Sequence, residues 1–117
     1  MQTNFFYTRH KIRMFLIQIK AYMLDIINFD EKRFMSVKNS DLGRWMQKQI
    51  IDKVNDDDVI DELMFNLENM HVYAKYIILN KSKNYTEAKK YYELLKEKAR
   101  LIYKLLDKIE SLSKHSH

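Results

Sequence analysis

The sequence predicts an all-α protein, an antiparallel four-helix bundle. Its 117 residues include one glycine and no proline, so the residues that favour tight turns are almost absent. Apolar residues make up 46% of the chain, and they recur every three or four positions, which is the period of one helix face. At this length we expect one domain, residues 1–117, with a single core.

The first predicted helix covers about residues 3–29. One apolar row has the spacing of a helix face: Phe5, Ile12, Leu16, Ile19, Met23 and Ile26. A second row runs parallel to it: Phe6, His10, Met14, Ile17, Ala21 and Leu24. A helix that contacts two neighbours needs a wide apolar arc, so we expect both rows, and His10 with them, to face the interior. Residues 29–39 are more polar and predict a long connection or a short irregular helix.

Three further helices are predicted at about residues 41–54, 57–80 and 85–112, followed by a tail at 113–117. Ser40 or Asp41 can cap the second helix, and Thr86 the fourth. The third helix has an inner row that contains a histidine: Ile60, Met64, Leu67, His71, Ala74 and Ile78. The fourth has a near-regular heptad: Ala88, Tyr92, Leu95, Ala99, Ile102, Leu106 and Ile109. Short connections predict antiparallel neighbours.

Composition and charge exclude several classes of function. The absence of cysteine excludes disulfides and thiol chemistry. No apolar run approaches the roughly 20 residues that cross a bilayer, and no signal-peptide pattern begins the chain, so we expect a cytoplasmic protein without membrane insertion. The net charge of +5 arises in residues 81–117, where 10 basic and 5 acidic side chains alternate at helical spacing. Such interleaving makes a nucleic-acid-binding bundle the least favoured interpretation.

Candidate catalytic motifs are missing from the sequence. It has no Gly-rich phosphate loop, no His-Glu-x-x-His, no pair of Glu-x-x-His motifs and no cysteine nucleophile, so we expect a protein that is not an enzyme. Four histidines remain as candidate metal ligands. His115 and His117 belong to the tail, whereas His10 and His71 fall within apolar rows. A histidine on an apolar face is more often a hydrogen-bonded core residue than a metal ligand.

His10, the segment from Ser40 to Trp45 and His71 together resemble the signature of the chemoreceptor zinc-binding (CZB) domain family. That signature is a histidine on the first helix, a Cys-x-Leu-Gly-x-Trp-like element that opens the second helix, and a His-x-x-x-His pair on the third. Leu42, Gly43 and Trp45 match the most specific part of it. The resemblance spans nearly the whole chain and implies a CZB-like four-helix bundle.

The resemblance also implies where zinc ligands would lie. His10 and His71 match two of the family's four ligands, and Ser40 stands in the place of its cysteine. The remaining histidine position falls on Leu67 or, in the other register, on Lys75. We prefer Leu67, because it lies on the inner row with His71. Two ligands are therefore replaced in either register, and Asp41 or Glu68 with water are the candidate substitutes.

The functional expectation follows from the resemblance and from the missing thiolate. The family implies zinc-linked sensing in bacterial chemotaxis and signalling, so we expect a non-enzymatic regulatory module with a degenerate metal site. It would act through a protein partner or as a homodimer. Several tyrosines are candidates for exposed contacts: Tyr22, Tyr73, Tyr76, Tyr91 and Tyr103. The alternative is a genuine zinc sensor that uses His10 and His71.

Overall fold

A computed structural model describes residues 4–114, with side chains to residue 112. Within that range the chain forms four helices and no strand: α1 (Phe5–Met23), α2 (Asp41–Gln49), α3 (Asp57–Asn80) and α4 (Tyr85–Lys114). Short 3-10 turns occupy Glu31–Phe34 and Ile51–Lys53. The predicted all-α four-helix bundle is confirmed. No helix in the described range is long and apolar enough to cross a bilayer. The predicted start at residue 3 and the tail residues 115–117 lie outside the described residues.

Helices α3 and α4 form the longest element of the bundle, a hairpin joined by residues 81–84. α1 packs against α2 and α4. Every member of the heptad predicted for α4 is buried: Ala88, Tyr92, Leu95, Ala99, Ile102, Leu106 and Ile109. The side-chain oxygen of Asn84 accepts the Glu87 N–H at 3.1 Å, so Asn84 caps α4 and the prediction of Thr86 as the cap is wrong.

Helix α1 ends at Met23, several residues before the predicted end at 29. Asp25 adopts a left-handed backbone conformation with φ of 60°. The Asp25 N–H donates to the Tyr22 carbonyl at 3.1 Å and the Ile26 N–H donates to the Ala21 carbonyl at 2.9 Å, which is the Schellman pattern of a helix end. Ile26, expected in the buried row, lies beyond this end and is exposed.

Only one face of α1 is buried. It consists of Phe5, Thr8, Ile12, Phe15, Ile19, Tyr22 and Met23. The second predicted row lies on the opposite side of the helix, where Phe6, His10, Met14, Ile17 and Leu24 are exposed. The prediction that His10 faces the interior is therefore wrong. The buried arc is completed instead by Thr8, Phe15 and Tyr22, which sequence periodicity did not group together.

A ladder of aromatic rings fixes the connection between α1 and α2 to the core. Tyr22 stacks on Phe29 with ring centroids 4.5 Å apart, and Phe29 stacks on Phe34 at 4.1 Å. Phe34, from the 3-10 turn, contacts Phe15 at 5.4 Å, and Phe15 contacts the His71 ring at 5.0 Å. The predicted short irregular helix is thus present as a 3-10 turn, and it packs against the core beside His71.

The tyrosines proposed as exposed contacts mostly cover the core. Tyr76 is exposed, whereas Tyr22 is buried, and three others are half-buried: Tyr73, Tyr91 and Tyr103. The Tyr22 hydroxyl donates to Glu31 at 2.5 Å. Burial, together with this carboxylate, raises the pKa of Tyr22 to about 12. Tyr22 is therefore one of the tyrosines that cover the core and not an exposed contact.

Candidate functional site

Ser40 stands at the start of α2 and satisfies the first turn of that helix. Its backbone is extended, with φ of −87° and ψ of 149°, as expected for an N-cap. Its hydroxyl oxygen accepts the Gly43 N–H at 2.7 Å. Of the two predicted caps, Ser40 rather than Asp41 therefore closes the helix.

The Ser40 hydroxyl also meets His71 of α3. The Ser40 oxygen and the His71 Nε2 atom are 2.6 Å apart, and His71 Nδ1 lies 2.8 Å from the Leu67 carbonyl oxygen. A carbonyl oxygen can only accept, so Nδ1 carries the ring proton and Nε2 is an acceptor. Ser40 must then donate to His71. The resulting chain runs from the Gly43 N–H through Ser40 and His71 to Leu67, and we call it the Ser40–His71 network.

This network is closed to solvent. Ser40 and His71 are each 1% exposed. Burial is the main cause that lowers the pKa of His71 to about 4, and the bond to the Leu67 carbonyl opposes it. The ring is therefore neutral at pH 7. Among the described residues no buried side-chain nitrogen or oxygen lacks a hydrogen-bond partner. The network is thus a satisfied polar cluster inside the apolar core.

Gly43 is required by the chain that leads into its own helix. A Cβ atom at residue 43 would lie 1.9 Å from the carbonyl oxygen of Val37 and 2.8 Å from the Ser40 hydroxyl oxygen. The first distance is a collision with backbone, which cannot rotate away as a side chain can. The absence of a side chain at Gly43 therefore lets the turn at 37–39 fold against α2 and hold Ser40 beside His71.

Trp45 holds α2 against α1 from the outside of the network. Its indole N–H donates to the Thr8 hydroxyl oxygen at 2.9 Å. The Lys11 ammonium lies 5.3 Å from the centre of the Trp45 rings, within the range of a cation–π contact. Lys11 also forms an ion pair with Asp41 at 2.7 Å. Leu42 completes the motif as a buried core residue.

His10 lies near the network but outside it. A cavity of about 530 Å³ opens between α1, the first 3-10 turn and the start of α2. His10 lines it from the exposed side of α1, and Ser40 and Asp41 line it from α2. His71 is absent from the described residues that line this cavity. The structure therefore brings Ser40, Leu67 and His71 together and leaves His10 apart, at the cavity rim. Lys75, the other register's candidate, is exposed on α3.

Zinc does not fit these residues. The Nε2 lone pair of His71 already accepts the Ser40 hydroxyl, which stays protonated at neutral pH and is a poor zinc ligand. The Leu67 carbonyl is occupied by the other ring nitrogen. Asp41 and Glu68, the candidate substitutes, are both exposed. Across the described part of the chain no group of three His, Asp or Glu side chains is placed to hold a metal ion.

The chain was compared with protein-family models, with curated proteins and with solved structures, and none of them matches. The fold and the site alone therefore define its class. It is a four-helix bundle with a buried, neutral Ser–His pair at the point where α2, α3 and the connection from α1 meet.

Acid should destabilise the fold through His71. Its pKa is about 4 in the folded chain and near 6.5 when unfolded, so the unfolded state binds more protons between these values. The free energy of unfolding should fall by up to about 3 kcal/mol as the pH drops from 6.5 to 4. Urea titrations across this range should show a clearly smaller loss for His71→Gln, which keeps an acceptor for Ser40.

His10→Gln is the matched control, because it removes an exposed imidazole outside the network. It should follow the wild-type pH dependence. Equal pH dependence in the wild type and in His71→Gln would show that His71 is not held neutral by the fold.

Gly43→Ala should destabilise the protein by about 2–3 kcal/mol, because the new methyl group would displace the Val37 carbonyl and disturb the Ser40 cap. Helix propensity alone favours the opposite sign, a gain of about 1 kcal/mol. Lys48→Ala, at an exposed position of the same helix, should change stability by no more than about 0.5 kcal/mol. Chemical denaturation of the three proteins measures both effects, and a Gly43→Ala variant as stable as the wild type would contradict the close approach.

Proposed function

We propose that this chain is a non-enzymatic regulatory module of the CZB-like kind, which acts through contact with protein and in which the Ser40–His71 network takes the place of a metal site. The observation that carries this proposal is that α1 is apolar on two opposite faces, only one of which packs in the bundle. Signalling through a bound metal is not part of the proposal, because the donor set does not suit zinc.

The exposed face of α1 has the features of an interaction surface. Its row consists of Phe6, Met14 and Ile17, continued by Leu24 at the C-cap, and we call it the outer row of α1. At 100° per residue this row lies opposite the buried face. Phe6 is 75% exposed and Ile17 is 50% exposed. A helix on the surface of a folded domain normally presents polar residues outward, and a continuous apolar row there is typical of a binding surface.

The Ser40–His71 pair supports a structural rather than a catalytic role. Ser and His at hydrogen-bond distance are the elements of a nucleophile and its base. Here, however, both side chains are buried and out of reach of a substrate. The group that accepts the His71 Nδ1 proton is the Leu67 carbonyl and not a carboxylate. With a pKa of about 4, His71 is also a weak base at neutral pH.

Carboxylates lie beside several of the cations, which does not favour nucleic acid as the partner. Arg9 binds Asp107 at 2.6 Å and Glu110 at 2.9 Å, and Lys96 binds Glu93 at 2.9 Å. Cations that are neutralised within the chain release few counterions on meeting phosphate, and counterion release drives most of the affinity for nucleic acid.

Photo-crosslinking in the source cells tests the proposal. A benzophenone amino acid at position 17 should give adducts with protein, because Ile17 lies at the centre of the outer row. Position 112 is the matched control: Leu112 is also apolar and 50% exposed, but it lies near the end of α4. Adducts at 17 and not at 112 support the proposal. No adduct at position 17, or equal adducts at both positions, would contradict it.

A further inference from the structure

We propose that the outer row of α1 packs, antiparallel, on the exposed apolar row of α3 in a second copy of the same chain. The inference rests on the proposed function and names the partner for the same surface. Four observations support it: a second apolar row, opposite charges on the two helices, charged residues at matching intervals, and the absence of ion pairs at those residues within one chain.

The second apolar row lies on the outward face of α3. It consists of Phe65, Val72, Tyr76 and Leu79, and we call it the outer row of α3. The buried residues of α3 lie on the opposite side: Val59, Leu63, Asn66, Leu67, Met70, His71, Ala74, Ile77 and Ile78. The two outer rows have similar lengths, about 27 Å for α1 and about 21 Å for α3 at 1.5 Å per residue.

The two helices carry opposite charge. α1 contains four Lys or Arg residues and no acidic residue. α3 contains five acidic residues and one lysine, Lys75. α1 against α1 would place like charges together, and so would α3 against α3. Contact between α1 and α3 of different copies is therefore the electrostatically favoured arrangement.

The charges are also spaced to match. Arg13 and Lys20 lie seven residues apart beside the outer row of α1, and Asp61 and Glu68 lie seven residues apart beside the outer row of α3. Residues seven apart fall on nearly the same side of a helix, about 10 Å from each other. The interval between the two cations therefore equals the interval between the two carboxylates.

The side on which these residues lie sets the direction of packing. At 100° per residue, and viewed from the helix N-terminus, each charged pair lies on the same side of its apolar row. Flanks on the same side meet when one helix is turned end for end, so the pairing is antiparallel. Arg13 then faces Glu68 and Lys20 faces Asp61 of the second copy. In this register residues 6–17 of α1 lie opposite residues 64–75 of α3, so the two apolar rows overlap along about 16 Å. Lys75, the one cation of α3, falls opposite the uncharged Phe6.

These four groups have no ion-pair partner within their own chain. The other two cations of α1, Arg9 and Lys11, are paired with carboxylates. Among the described residues, no ion pair involves Arg13, Lys20, Asp61 or Glu68. Lys20 lies 5.0 Å from the centre of the Tyr92 ring, and Arg13 donates a hydrogen bond to the Tyr103 hydroxyl, so neither cation meets a carboxylate in its own chain. A second copy would supply the missing partners.

Charge reversal in purified full-length protein tests the pairing. One variant carries Arg13→Glu with Lys20→Glu, and another carries Asp61→Lys with Glu68→Lys. Sedimentation analysis from micromolar to millimolar concentration should show association of the wild type that weakens with added salt. Each reversed variant should associate at least about tenfold more weakly, since like charges then face each other.

Two further samples separate this pairing from other contacts. An equimolar mixture of the two reversed variants places opposite charges together again, and so does a single chain with all four substitutions. Both should recover the wild-type affinity. Circular dichroism confirms that each variant is folded. If either reversed variant associates as the wild type does, or if neither combination recovers the affinity, the proposed pairing is wrong.

The sedimentation experiment and the crosslinking experiment test different claims. A wild type that stays monomeric at millimolar concentration overturns the second copy as partner. If position 17 still crosslinks to a different protein in cells, the proposed function stands without this inference. If position 17 gives no adduct at all, the proposed function itself fails.

Discussion

The structure depends on one hydrogen-bond chain, which links the Gly43 amide, the Ser40 hydroxyl, the His71 ring and the Leu67 carbonyl. Each member uses its donor and acceptor atoms once, and the ring remains neutral because burial disfavours its charged form. An imidazole inside an apolar core costs free energy unless both of its nitrogens are satisfied. The Ser40 hydroxyl meets that need by acting as the cap of α2 and the donor to α3 at the same time.

Several neighbouring features follow from this requirement. Ser40 reaches His71 only if the preceding turn lies against α2, and Gly43 permits that approach to the Val37 carbonyl. The aromatic ladder ends on the His71 ring and ties the connection after α1 to the same point. In a chain that otherwise avoids glycine, the residue at 43 is therefore explained by geometry. The network links the start of α2 to α3, and the aromatic ladder adds the connection from α1.

Sequence periodicity predicted the four helices and the buried row of α4, because a heptad that packs on one neighbour has a single possible inward face. It failed at α1, where two apolar rows both have helical spacing but only one of them is buried. Thr8 was not counted as a core residue, although the Trp45 indole satisfies its hydroxyl inside the bundle. The end of α1 was missed because Asp25 adopts the left-handed conformation that glycine usually supplies.

The sequence also predicted only part of the candidate site. His71 was placed correctly by its apolar row, and Ser40 was one of two predicted caps, but the contact between them depends on tertiary packing. His10 was assigned to the interior because its row is apolar. That row is the exposed face of α1. Both apolar faces of α1 can be recognised in the sequence, but the sequence does not show which of them is buried.

The central claim is that a protein hydrogen bond occupies the His71 Nε2 atom, and nitrogen-15 NMR of the imidazole rings tests it most directly. At pH 7 the His71 ring should be neutral, with its proton on Nδ1 and an acceptor-type signal for Nε2, and an equimolar addition of zinc should leave both signals unchanged. His10→Gln protein, in which one exposed ring is removed, assists the assignment. A proton on Nε2, a charged ring, or a zinc-induced shift of the Nε2 signal would contradict the account.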